Sequence, residues 1–150
     1  MLNNYQKKMK IQILKMDKLN AEIQTGISEL FQQLNPNQRQ ISSEEIFTTG
    51  NQITFVYCQE DNGIVGIASI CSYQAISGHK GWIEDVVVDI NFRGKGVGRK
   101  LIYKLLEIGK EKRMTEILLF TADHRIPAIN LYKSIGFEIK DSRIYVLKGL

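Results

Sequence analysis

The chain has 150 residues, 43% of them hydrophobic, with 20 Lys and Arg against 16 Asp and Glu for a net charge of +4. That length suits one domain with one core, here taken as residues 1–150, and no window nears the roughly eighteen continuous apolar residues of a membrane span. The charged start, Met1 to Met9, has no apolar stretch behind it for a signal peptide, so a cytoplasmic protein is expected, and the small cationic excess has to be read from its location.

Lys10 to Leu14 is a candidate first strand. Leu19, Ile23, Ile27, Leu30, Phe31 and Leu34 recur at helical spacing as one apolar stripe, ended by Asn35-Pro36 because proline disfavours helical backbone in the residue before it. Ser42 and Glu45 have the spacing of a capping box for a short helix through Phe47. Ile53 to Cys58 and Ile64 to Cys71 read as two strands of a hairpin closed around Asp61-Asn62-Gly63. In that pairing Cys58 lies by the turn and Cys71 at the open end, separated by strand on the order of 15 Å long, beyond the roughly 7 Å Cα limit of a disulfide. Both are expected as free thiols, small strand residues before acyl carriers.

From Trp82 to Gly109 the pattern is strand, glycine loop, helix. Ile83 and Val86, Val87 and Val88 suit a buried strand, while Val97, Leu101, Ile102, Leu105 and Ile108 recur at helical spacing. A helix beginning near Gly96 has unpaired N–H groups and a positive dipole end in its first turn. Glycines at 94, 96 and 98 let an anion approach that backbone, and Arg93, Lys95 and Arg99 add charge, so a phosphate or pyrophosphate is the natural guest. The spacing excludes two common fingerprints. A dinucleotide loop needs G-x-G-x-x-G, whereas Arg99 stands where the third glycine falls. A P-loop needs a glycine five residues ahead of Gly-Lys and a Ser or Thr after it, and neither is present.

Glu116 to Thr121 reads as a further strand. Pro127 to Phe137 reads as a short helix with proline in its first turn, Ala128, Leu131, Tyr132 and Ile135 on one side and Gly136 as its stop. Phe137 to Lys140 and Ser142 to Leu147 are expected as the last two strands. His79 and His124 stand alone, so no metal site is expected.

Arg93-x-x-Gly96-x-Gly98, directly after an apolar strand with Glu84-Asp85 near its start, resembles the pyrophosphate loop of the GNAT superfamily of acyl-CoA N-acyltransferases. The likeness continues through Ala128-x-x-Leu131-Tyr132-x-x-x-Gly136-Phe137 and covers residues 53 to 148. It implies a single α/β domain, a mixed, strongly twisted sheet of six to seven strands with helices on both faces. It implies acetyl-CoA as cosubstrate, with Arg93, Gly94, Lys95, Gly96, Val97, Gly98 and Arg99 around its phosphates. The backbone of Val86, Val87 and Val88 would pair with the pantetheine arm where two strands splay. The N-terminal third would wall the acceptor pocket. A homodimer paired through sheet edges is open to such domains, although no residue here specifies one, and a nucleic-acid platform remains a minor alternative because basic and aromatic residues do not interleave.

The implied reaction moves an acetyl group to a primary amine, of a small molecule or a protein terminus, by direct attack in a ternary complex. It requires an uncharged amine, a stabilised oxyanion and a proton for the thiolate. Glu84 is the first candidate base; with an ordinary pKa of about 4.3 it would need a water chain or a pKa raised by burial beside Trp82. Asp85 faces the other way in a regular strand, and a bulge could exchange the two. Tyr132 matches the family's proton donor to the thiolate, its pKa of about 10 lying above about 8.5 for a thiol. Where many relatives carry an asparagine, seven residues before this tyrosine, the chain has Arg125, which could reach the cofactor's phosphates or a carboxylate on the acceptor. The alternative is a non-catalytic acyl-CoA-binding module that keeps the loop and lacks a working acid and base.

Overall fold

The computed structural model describes residues 9–61 and 63–150. Two compact units are distinguished, one ending at Phe120 and the other Thr121–Leu150.

In the first unit, apolar alternation produces a five-stranded sheet in the order β1 (Lys10–Leu14), β2 (Ile53–Glu60), β3 (Gly63–Ala75), β4 (Gly78–Val88) and β5 (Glu116–Leu118). The first three pairings are antiparallel, and β4 pairs parallel with β5 across the connecting helix α3 (Val97–Glu111), as a strand–helix–strand crossover requires. Phe55, Tyr57, Ile67 and Val87 share one face of the sheet. They form a cluster with Leu14, with Leu30 of helix α1 (Ala21–Leu34) and with Ile46 and Phe47 of helix α2 (Ser43–Thr48). One step along each strand the side chains point to the opposite face. There Val56, Cys58, Ala68, Ile70 and Ile83 are at most 3% exposed, and Val97, Leu101, Ile102 and Leu105 of α3 at most 1%. Every position of the apolar stripe expected in α3 is thus buried.

Local sequence explains the boundaries. Asn20 caps α1 by accepting from the Ile23 N–H at 2.9 Å, and Ser42 caps α2 by accepting from the Glu45 N–H at 3.1 Å. Gly66 sits opposite both Cys58 and Val88, and a Cβ there would lie 2.8 Å from Val97 Cγ1 and 3.0 Å from Leu101 Cδ1. The missing side chain lets the start of α3 lie directly on the sheet. Cys58 pairs with Gly66 near the turn and Cys71 with Ile53 at the other end, and both thiols are free.

The second unit holds helix α4 (Ile126–Ile135). Pro127 occupies its first turn, and Gly136 closes it at φ 114°, with its N–H and that of Phe137 returning to the Tyr132 carbonyl at 3.2 and 3.0 Å. The sheet has five strands among the described residues, not six to seven. Phe137 to Lys140 and Ser142 to Leu147 carry no strand, and β5 stops at Leu118 instead of Thr121. β-propensity makes a strand only when a neighbouring ladder accepts it. Ile139, Ile144, Tyr145, Val146 and Leu147 are 67–88% exposed, so neither face of this segment is buried. No helix among the described residues is long and apolar enough to cross a membrane.

Candidate active site

β4 carries the site in the first unit, and its ladder is interrupted there. Ser69 pairs with Glu84 and Ile67 with Val87, so two steps on β3 face three on β4. The extra residue is a bulge in which Asp85 adopts φ 51°, a left-handed conformation that aspartate tolerates better than most side chains. Asp85 is pushed outward and exposed, while Glu84 stays half-buried in the row of Ser69 and Phe55, on the face covered by α1 and α2. The wholly buried Ser69 hydroxyl donates to the Glu84 carbonyl at 3.3 Å, steadying the strand beside the bulge.

Both carboxyl groups lie above the ordinary carboxylate range. Burial raises Glu84, with the negative charge of Asp85 adding to it, and desolvation by surrounding protein atoms raises Asp85. Burial likewise raises the Cys71 thiol, followed by the charges of Glu84 and Asp85, and burial raises Cys58. Two protonated thiols are poor acyl carriers. Trp82, two residues before Glu84, packs edge-on against Phe120 with ring centroids 5.9 Å apart. Its indole N–H is buried and has no hydrogen-bond partner among the described residues.

After Trp82, β4 has no strand partner on its β5 side among the described residues. Pairing with β5 covers only Lys80, Gly81 and Trp82, so the backbone from Ile83 to Val88 meets no strand there among the described residues. An extended chain can bond to such an edge. Val86, Val87 and Val88 lie on it, with Val87 anchored in the core.

The strand then gives way to a single 3-10 turn, Ile90–Phe92, and to the glycine loop. Gly94 and Gly96 take φ 75° and 81°, and a Cβ on either would meet nothing within 4 Å, so these glycines are required by conformation, with open space beside them. Asn20, Ser42 and Asp89 cap their helical segments with side chains; no side chain caps α3, whose N-cap is Gly96. The first-turn N–H groups of Val97 and Gly98 therefore take no bond from a capping side chain and suit an outside acceptor. Arg93 folds back so that its Nε donates to the Val88 carbonyl at 3.2 Å, and Lys95 Nζ lies 4.7 Å from the Phe92 ring centroid. Lys104, further along α3, pairs with Glu107 at 3.1 Å.

Glu84, Val86 to Val88 and Arg93 to Arg99 are thus brought together on one continuous strand–loop–helix unit. Tyr132 and Arg125 belong to the second unit. Tyr132 is 9% exposed, and its ring stands 6.0 Å from that of Phe137. Burial raises its phenol pKa, partly offset by Arg125, so it carries its proton at neutral pH. Two residues that hold the loop were not anticipated. Asp89 accepts from the Asn91 N–H at 2.8 Å, a cap that Asp-x-Asn before a turn can signal. Gln33, which bonds to Asp89 and Ile90, gave no sequence signal because its partners lie 56 and 57 residues away.

Residues 21–137 match the model of the acetyltransferase (GNAT) family. The chain belongs to this family. It is 34% identical over 96 residues to glucosamine 6-phosphate N-acetyltransferase of Trypanosoma brucei brucei, spanning 61% of this chain and 63% of that one. It is 34% identical over 65 residues to bovine thialysine N-epsilon-acetyltransferase, spanning 43% and 38%. The matched segment therefore covers less than two-thirds of either relative. In fold, the chain is similar to an aminoglycoside acetyltransferase from an uncultured soil metagenomic sample, with a TM-score of 0.80, 21% identity and coverage of 95% and 96%.

Proposed function

We propose that this GNAT protein transfers an acetyl group from acetyl-CoA to a primary amine of a small molecule. The observation that carries the reading is the continuity of the open β4 edge with an uncapped helix start. An extended pantetheine arm would bond to the backbone from Ile83 to Val88, and its pyrophosphate would then reach the N–H groups of Val97 and Gly98. Arg93, Lys95 and Arg99 supply the countercharge. Small amines are favoured as acceptors because the matched relatives are named for glucosamine 6-phosphate, thialysine and streptothricin.

In the proposed reaction the amine loses its proton toward Glu84, whose raised pKa brings it nearer to that task. The neutral nitrogen attacks the thioester carbonyl, and a main-chain N–H on the open strand stabilises the oxyanion. As the carbon–sulfur bond breaks, Tyr132 donates its proton to the departing thiolate and regains one as the attacking nitrogen sheds its second proton, giving a neutral amide and free CoA. Arg125 is assigned to the phosphates or to an acceptor carboxylate. The test is acetyl-CoA-dependent thiol release against a panel of amino sugars, lysine analogues and aminoglycosides. Turnover with one class supports the reading. Tight acetyl-CoA binding without release on any amine would favour a non-catalytic acyl-CoA-binding module.

A further inference from the structure

The turn that leads into the glycine loop is held from another element. Gln33, in the last turn of α1, lays its side-chain amide against it: Nε2 donates to Asp89 Oδ2 at 3.0 Å, and Oε1 accepts from the Ile90 N–H at 3.0 Å. The other Asp89 oxygen accepts from the Asn91 N–H at 2.8 Å, and the Asp89 N–H donates to the Val65 carbonyl at 2.9 Å. A primary amide suits this double task, since a carboxylate cannot donate and an ammonium cannot accept. Hydrogen bonding from Gln33, then from Asn91, holds the Asp89 carboxyl below its usual range. Gln33 is exposed and fills no core position, so what it contributes is geometry. It fixes Asp89 and Ile90, from which the chain has only a few residues to run before Arg93 and the left-handed glycines.

We infer that Gln33 is a positioning residue for acetyl-CoA binding, clamping the start of the pyrophosphate loop to α1. The inference rests on the reading of that loop as the cofactor site. It is tested by calorimetric titration of acetyl-CoA into the full chain and into Gln33→Glu, Asp89→Asn and the double variant, with Tm measured for each. Gln33→Glu removes the donor and sets two carboxylates face to face. In the double variant the new amide at position 89 donates to the new carboxylate at position 33, so the bond between the two side chains is kept with donor and acceptor exchanged, while the Ile90 and Asn91 N–H groups donate as before.

Gln33→Glu is expected to raise Kd roughly tenfold and Asp89→Asn roughly threefold, with the double variant returning to within about twofold of the unaltered chain and Tm changing by only a few degrees. Gln33→Ala, expected to weaken binding roughly threefold, serves in place of Gln33→Glu if that variant does not fold. Unchanged Kd in the single variants, or no recovery in the double, overturns the role of Gln33 while leaving the cofactor site intact. Failure of the unaltered chain to bind acetyl-CoA overturns both.

Discussion

Glu84 is held where a carboxylate is uncomfortable, half-buried and beside a second negative charge. Its folded pKa lies above the unfolded value, so the folded state binds the extra proton between the two. Stability from this group therefore falls as pH rises through that window, and at neutral pH it acts against folding. Glu84→Gln is expected to raise Tm at pH 7 and to lower turnover, a combination that thermal denaturation and rate measurements can read together. As the proposed base Glu84 would act in its ionised form, so kcat/KM is expected to fall on the acid side of the raised pKa. Asp85→Asn removes the neighbouring charge and should move that acid limb to lower pH in a pH–rate profile. Tyr132→Phe should lower turnover roughly ten- to a thousandfold with little change in acetyl-CoA affinity. A binding module would show no such loss.

At the level of elements, patterns that report burial could be read from the sequence, and features that depend on a distant partner could not. The α3 stripe, the bounds of β1, the cap at Ser42 and the stop at Gly136 each follow from residues within a few positions of one another. The bulge at Asp85 exists only as a mismatch between β3 and β4, so the sequence left the orientations of Glu84 and Asp85 open. The C-terminal segment has strand-forming residues, but strand formation depends on a ladder that its own sequence cannot supply. Gly66 is a similar case, since its role appears only when α3 is laid across it. Gly66→Val is expected to lift the first turn of α3 off the sheet, lowering Tm by several degrees and weakening acetyl-CoA binding. A variant that binds as tightly as the unaltered chain would separate the position of the helix start from recognition.

Across the whole molecule, a net charge of +4 is modest, and its placement gives it meaning. Arg93, Lys95, Arg99 and Lys100 are exposed around one helix start, where a polyanion would gather them. Exposed charges are screened beyond about 10 Å at 0.1 M salt, so acetyl-CoA affinity should fall severalfold as ionic strength rises through the range where that length shrinks toward about 3 Å. The central claim is that the loop from Arg93 to Gly98 and the open edge of β4 together bind acetyl-CoA. Calorimetric titration of acetyl-CoA into the purified chain, with NADH as control, tests it most directly. Binding of acetyl-CoA with a Kd on the order of micromolar, and none of NADH, is the predicted result. Absence of acetyl-CoA binding, or equal binding of NADH, would contradict it.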